Sequence, residues 1–149
     1  MVLTDYRELD IQIEMPHFVV ERQPDAGWSN SGRTADDQCV IGYAKCGEAF
    51  YTMSGRIFTV GRGDIVFFPM GAHHSAKNNP ADPWAFYSVC FTLTCGDELS
   101  RRMISSLPNI FRCSGTPRMA ADFADLSRVW STREKGYKLK CRSLLLDIM

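Results

Sequence analysis

Apolar residues in the first two-thirds of the chain occur in short runs, several of them alternating with polar residues, and turn-forming residues separate the runs. Ile11, Ile13 and Met15 alternate with polar neighbours, which is typical of a half-buried strand. The sequence Ser-Gly-Arg at 54–56 lies between two further apolar runs and suits a tight hairpin turn. The longest run, residues 84–93, is rich in aromatic and β-branched side chains. Many short strands with this spacing predict a β-sandwich or a β-barrel.

The last third of the chain has the periodicity of helices. Asp97 suits the start of a short helix that Pro108 would end. Thr116 and Pro117 are typical of the N-cap and the first position of a second helix. Apolar residues then recur at helical spacing in two stripes, one on each side of Gly136. The two stripes could form a helical hairpin, cover the barrel, or do both.

The composition and charge of the chain limit the classes of protein to which it can belong. The chain has 149 residues, 45% of them hydrophobic, and its 17 basic residues balance 17 acidic ones. Without a basic excess, the chain is not expected to bind DNA by itself. It has no apolar run that could cross a bilayer and no signal peptide at its N-terminus, which predicts a cytoplasmic protein that does not contact a membrane. None of the six cysteines forms a CxxC pair, and free core thiols are expected.

One segment, residues 63–78, carries a recognisable motif. It resembles the second signature of the cupin superfamily, which is Gly, five residues, Pro, one residue, Gly, two residues, His, three residues and Asn. Gly63, Pro69, Gly71, His74 and Asn78 occupy all five positions. Gly63 suits a turn into a strand, and Pro69 and Gly71 suit the end of that strand. The resemblance implies a cupin-like, jelly-roll β-barrel.

The first cupin signature is only partly present. Glu48 and Gly55 match its Glu and Gly, but its two histidines are missing, because positions 42–44 hold Gly, Tyr and Ala. Cupin metal sites typically use three histidines and one glutamate. Only Glu48 and His74 remain here, and two protein ligands rarely hold a catalytic ion. The sequence therefore predicts the fold without a metal or another cofactor.

Wider features are similar to the sensor domains of AraC-type transcription regulators over roughly residues 28–149. The similarity lies in the order of these segments: 46–51, 60–64, 83–91, 123–130 and 144–146. The resemblance implies a mainly β fold, with an effector-binding barrel and N-terminal arm over residues 1–95. A C-terminal antiparallel helical pair within 96–149 would form a homodimer. DNA would be bound only by a helix-turn-helix domain that this chain lacks, and the last apolar stripe ends without a helix-stop signal, as expected of a cut chain.

The expected partner is a small-molecule effector, often a sugar in such proteins, bound inside the barrel. Glu48 is expected to face the barrel interior, where its carboxylate could bind ligand hydroxyls or pair internally. His74 is expected to contact the ligand or to be a satisfied histidine at the barrel mouth, and His73 to face outward. The aromatic candidates are Trp84, Tyr43, Phe50 and Trp28, although aromatic residues at such places are more often part of the core. Arg33 is a candidate polar anchor or a loop arginine in solvent. Residues 1–9 are a candidate arm over the ligand.

Three functions follow from these features. The leading one is a non-catalytic sensing and dimerisation domain. The alternative is a stand-alone cupin enzyme, an isomerase or dioxygenase, in which Glu48 and His74 act as acid and base. The third is an interaction domain without an effector, which a barrel interior filled by side chains would favour.

Overall fold

A computed structural model of the protein describes residues 9–113 and 116–149; the proposed arm therefore lies outside the described residues except for Leu9. The strands are β1 (Ile11–Arg22), β2 (Ser29–Arg33), β3 (Gln38–Cys46), β4 (Glu48–Met53), β5 (Arg56–Gly61), β6 (Asp64–Phe68), β7 (His73–Asn78), β8 (Ala85–Cys95) and β9 (Ile110–Arg112). The helices are α1 (Glu98–Ser105), α2 (Pro117–Thr132) and α3 (Tyr137–Ile148). The mainly β prediction is confirmed.

The strands form two antiparallel sheets. Sheet A has the order β1-β8-β3-β6-β9 and sheet B the order β2-β7-β4-β5. The hairpin predicted at 54–56 is confirmed, since Met53 pairs with Arg56 and the two residues between them, Ser54 and Gly55, have φ of 48° and 73°. Two successive positive φ values are characteristic of the tight turn that matches the twist of the two strands.

Sheet A is the middle layer of the molecule, covered on both faces. All five residues of β6 are buried, as expected of a strand that packs on two sides. Ile65 and Phe67 belong to the core on the helical side, whereas Val66 and Phe68 belong to the core between the sheets. Because such a strand has no polar face, the polarity of its residues does not show which side chains point to which side of the sheet.

Sheet B covers one face of sheet A and closes the barrel. On β4 the inward positions are Ala49, Tyr51 and Met53, all buried in the core between the sheets. Because strand residues alternate between faces, Glu48 and Phe50 lie on the other face of β4. Sheet B therefore has one buried face and one face towards solvent.

The helices cover the other face of sheet A, and the predicted helices are confirmed. Asp97 caps α1 by accepting a hydrogen bond from the Ser100 backbone N–H at 2.7 Å. Thr116 precedes α2 with Pro117 at its start, although the Thr116 side chain makes no cap hydrogen bond. Segment 96–149 also supplies β9, which pairs with β6. In the described part of the chain, no helix has the length and apolar character needed to cross a membrane.

All six cysteines lie within the described residues and are free, as expected. Cys39, Cys90 and Cys141 are buried. Burial raises the pKa of the Cys39 thiol to about 12, so this thiol stays protonated and unreactive at neutral pH. The buried cysteines act as small apolar side chains.

Candidate functional site

A group of aromatic rings fills the space between the two sheets. Trp84 is 2% exposed and stacks on Phe86, with ring centroids 4.2 Å apart. The Trp28 ring lies 5.6 Å from Trp84 and 5.7 Å from Phe86. Tyr51 meets Trp84 edge-on at 5.7 Å and also contacts Phe68 at 5.6 Å. Of the aromatic residues predicted to contact a ligand, the structure thus brings Trp28 and Trp84 together.

Asn78 of the motif holds this aromatic group in place. Its side-chain amide donates to the Asp25 carbonyl at 2.6 Å, and its carbonyl oxygen accepts the Trp84 backbone N–H at 2.9 Å. The Trp28 carbonyl accepts the Asn78 backbone N–H at 3.0 Å. One buried amide therefore joins the turn before β2 to the start of β8, which are the two segments next to Trp28 and Trp84.

His74 lies towards the other end of the same interior. Its ring stacks on Phe68 with centroids 4.2 Å apart and an interplanar angle of 13°. Burial lowers the pKa of His74 and outweighs the opposing effect of the Ala72 carbonyl. The imidazole is therefore predominantly neutral at neutral pH. His73 is exposed, as expected from strand alternation.

Three buried polar atoms at or near the barrel make no hydrogen bond with any residue in 9–113 or 116–149. They are Trp84 Nε1, His74 Nδ1 and Thr34 Oγ1. A buried polar group left unpaired costs about 1–3 kcal/mol, and native proteins usually satisfy such groups with water or a ligand. These atoms are the candidate hydrogen-bonding groups for a polar molecule in the barrel.

A cleft opens beside the aromatic group, between β1 at the edge of sheet A and β2 at the edge of sheet B. We call it the barrel cleft; its volume is about 480 Å³. It is lined by Phe18, Val20, Arg22, Trp28, Ser29, Asn30, Phe86 and Ser88. The Trp28 and Phe86 rings belong to both the cleft and the aromatic group, so the cleft leads to the interior. It combines flat apolar rings with a guanidinium, an amide and hydroxyl groups, a mixture typical of small-molecule sites.

Two predicted aromatic residues lie elsewhere. Tyr43 is on the helical face of sheet A, where it stacks on Phe123 with centroids 5.4 Å apart. Phe50 lies on the outer face of sheet B, in a shallow surface depression with Thr52 and Lys77. Neither ring faces the barrel interior, because in both strands the neighbouring residue takes the inward position.

The expectation that Glu48 faces the barrel interior is wrong. Ala49 takes the inward position at the start of β4, and the Glu48 carboxylate accepts a hydrogen bond from the Asn79 side chain at 2.9 Å. β4 pairs with β7 so that Ala49 lies opposite Asn78. Glu48 and His74 are therefore at opposite ends of this strand pair, roughly 16 Å apart along it.

Arg33 is also outside the barrel. It lies at the end of β2, an exposed edge strand, and forms an ion pair with Asp36. In the described ranges, no group of three or more His, Cys, Asp or Glu side chains could hold one metal ion.

Several residues of the barrel cleft were not among the site residues predicted from the sequence. Phe18, Val20 and Arg22 lie on β1, and Phe86 and Ser88 lie on β8, which pairs with β1. The alternation of side chains along residues 18–22 indicates that Phe18, Val20 and Arg22 share one face of the strand. The sequence could not show that β8 pairs with this strand, because β1 and β8 are far apart in sequence.

Comparisons with known proteins find one matching family and several similar solved structures. The profile of a family described as AraC-like ligand binding domain matches residues 16–149. No curated protein sequence matches the chain. Among solved structures, the chain is similar to a predicted oxalate decarboxylase from Thermotoga maritima, with 20% identity, coverage of 52% of this chain and 68% of that chain, and a TM-score of 0.48.

Two further solved structures are similar to part of the chain. An uncharacterized conserved protein with a double-stranded β-helix domain from Klebsiella pneumoniae is 20% identical over 63% of this chain and 89% of that chain, with a TM-score of 0.47. A cupin 2 conserved barrel domain protein from Salinispora arenicola is 22% identical over 66% and 83% of the two chains, with a TM-score of 0.41.

Proposed function

The chain belongs to the family of AraC-like ligand binding domains, and from this premise we propose that it is the effector-sensing part of a bacterial AraC-type transcription regulator. The main support for this proposal is the barrel cleft, which opens onto the rings of Trp28 and Phe86. A bound molecule would contact both sheets at their edges. It could therefore change how β1 lies against β2. An effector acts in this way when it binds one of two conformations more tightly than the other.

The chemistry of the cleft favours a small polar molecule with a flat apolar face, such as a sugar or a sugar-like compound. A sugar ring could stack on the Trp28 indole, while Arg22 and Asn30 at the rim could donate hydrogen bonds to its hydroxyls. The Trp84 N–H, buried beside this ring, is a further donor without a partner among the described residues. Glu48 and Arg33 are not part of this proposed site.

The first test measures thermal unfolding of the whole chain with a panel of sugars, sugar phosphates, polyols and small organic acids. A true effector stabilises the folded state in proportion to the logarithm of its concentration. The shift should be lost in Trp28→Ala and kept in Trp130→Ala. Trp130 is the matched control because it lies on α2, against Tyr137 and away from the cleft. If both variants keep the shift, the ligand binds elsewhere and the cleft proposal fails.

We also propose that the domain forms a homodimer through its C-terminal helices and does not catalyse a reaction. Leu139 and Leu146 are 63% and 50% exposed and lie seven residues apart on one face of α3, which suits a helix–helix contact. The separation of Glu48 from His74 supports a non-catalytic role, since they cannot act on one substrate atom. DNA would be contacted through a separate helix-turn-helix domain, in the cytoplasm.

A second candidate is an interaction domain that needs no effector. Its support is the interior itself, where Tyr51, Phe68 and Trp84 fill the space between the sheets. If no member of the panel shifts the melting temperature while the chain still dimerises, this candidate replaces the first. If a panel member binds and is chemically changed, as followed by NMR of the compound, both candidates fail in favour of a cupin enzyme.

A further inference from the structure

A second cavity lies outside the barrel, between the opposite face of sheet A and the three helices. We call it the helix-side cavity; its volume is about 590 Å³. Every layer around it contributes apolar side chains. Representative ones are Ile41 and Phe67 from sheet A, Phe111 from β9, Ile104 from α1, Met119 from α2 and Ile148 from α3.

The floor of this cavity is part of the core, and its rim reaches the surface at Leu146 and Met149, which are 50% and 37% exposed. Ile41, Phe67 and Ile104 are 5%, 1% and 3% exposed, so the floor of the cavity is enclosed. A volume of this size is within the range of small-molecule sites. A void lined by hydrocarbon loses dispersion contacts on one side and is a poor place for water, which needs polar partners. These properties favour an apolar occupant.

Among the described residues, the side chains that line the cavity carry no charge. The one polar side chain in this described lining is Cys113, and burial raises the pKa of its thiol, so it stays neutral. Of the charged residues directly adjacent in sequence to lining positions, Arg112 pairs with Asp64 and Arg118 pairs with Asp122. Three others, Asp10, Glu14 and Asp147, are exposed. A carboxylate or an ammonium group placed here would lose its hydration without a compensating partner.

We propose that the helix-side cavity binds an uncharged, apolar small molecule of aromatic or aliphatic character. Sheet A separates this site from the barrel cleft, so the two sites are chemically and spatially distinct. An occupant contacts α1, α2 and α3 together with sheet A and so determines how closely the helices approach the sheet. The site does not depend on what the barrel binds.

The test uses the full chain and the uncharged dye N-phenyl-1-naphthylamine. The chain has eight isoleucines, and selective labelling of their methyl groups reports binding in the helix-side cavity, because six of the eight line it. Those that line the helix-side cavity are Ile11, Ile13, Ile41, Ile65, Ile104 and Ile148. Ile57 is 75% exposed on β5, and Ile110 packs against the core between the sheets. Saturable dye fluorescence, with shifts of the six cavity methyls and none at Ile57 or Ile110, is the expected result.

A variant that fills the cavity provides the second measurement. Met119→Trp should weaken dye binding at least about tenfold, whereas Lys140→Trp, at an exposed position of α3, should leave it unchanged. Circular dichroism checks that both variants are folded. If Met119→Trp does not fold, the methyl shifts of the unmodified chain decide by themselves.

Three results would overturn the proposal. The dye could fail to bind the full chain, its binding could shift Ile110 without the cavity methyls, or Met119→Trp could fold and bind the dye as tightly as the unmodified chain. A chain that starts at Leu9 is the last control. If the dye binds only to this shortened chain, residues 1–8 and not a small molecule are the natural occupant of the cavity.

Discussion

Single buried polar groups set much of the local geometry around the barrel. Asn78 is 3% exposed and joins the segment before β2 to the start of β8 through both ends of its amide. His74, on the same strand, is stacked on Phe68 and has a lowered pKa. Both residues occupy positions of the sequence motif. The structure gives Asn78 a structural role and His74 a place in the barrel interior.

Replacing Asn78 by alanine should destabilise the protein by about 2–4 kcal/mol. The substitution removes two hydrogen bonds and leaves the Trp84 N–H and the Asp25 carbonyl without their partner, each at a cost of about 1–3 kcal/mol. Urea unfolding followed by tryptophan fluorescence measures the loss. Asn30→Ala, on the exposed strand β2, is the control and should change stability by less than about 0.5 kcal/mol. Equal effects of the two substitutions would contradict the role of Asn78.

His74 should make the protein less stable as the pH falls. Burial lowers its pKa below the ordinary 6.5, so between the two pKa values the unfolded chain binds more protons than the folded one. The free energy of unfolding therefore decreases as the pH falls from above 6.5 towards the lowered pKa. Urea midpoints at about pH 7.5 and 5.5 should differ less in His74→Gln than in the unmodified chain. His73→Gln, at an exposed position, should keep most of the difference, because the His73 charge is only a minor cause of the lowered His74 pKa. Loss of the whole difference in this variant would assign the effect to His73.

At the scale of elements, α3 is attached to the edge of sheet A by a polar contact as well as by its apolar face. The register of β1 against β8 shifts on both sides of Pro16, because proline cannot donate to the ladder. Just before this irregularity, the Ile13 carbonyl accepts the Arg142 Nε–H. The buried face of α3, which includes Cys141 and Leu145, packs in the core beside it.

Arg142→Met should loosen this attachment. Methionine keeps much of the apolar stem but cannot donate to the Ile13 carbonyl, so we expect a loss of about 1–3 kcal/mol in the free energy of unfolding. Hydrogen exchange of the α3 amides should rise in parallel, since local opening becomes easier. Lys140→Met, on the exposed face of the same helix, is the matched control. No increase in exchange in Arg142→Met would show that apolar packing alone holds α3.

At the scale of the whole molecule, the fold has three layers: sheet B, sheet A and the helices. Sheet A has a cleft at its edge on the barrel side and an apolar cavity on its helical side. The exposed leucines of α3 belong to the helical layer, and Leu146 also lines the rim of the helix-side cavity. An effector site between sheets B and A and a dimer contact on the helical layer would be coupled through sheet A.

The proposed dimer should dissociate when Leu139 and Leu146 are both replaced by glutamate, because two charges would then be buried in an apolar contact. Sedimentation velocity of the double variant should show a monomer where the unmodified chain shows a dimer. Ile57→Glu, at an exposed position of sheet B, should leave the dimer intact. A dimer that persists in the double variant would place the interface elsewhere.

Local sequence signals predict most of the elements of this fold. The tight turn after Met53, the cap at Asp97 and the helix start at Pro117 depend on residues adjacent in sequence, and all three are present. The motif around His74 implies the barrel only through its resemblance to the cupin signature. Its glycines and proline by themselves indicate where strands begin and end.

The direction of individual side chains depended on how the layers pack. On β4, Ala49 and Phe50 are both apolar, so the pattern could not show which one faces inward, and Glu48 was assigned to the wrong face. Sheet A is apolar on both sides because sheet B and the helices both cover it, which is why Tyr43 could not be placed. The barrel cleft joins strands separated by many residues, and such contacts exist only once the sheets have paired.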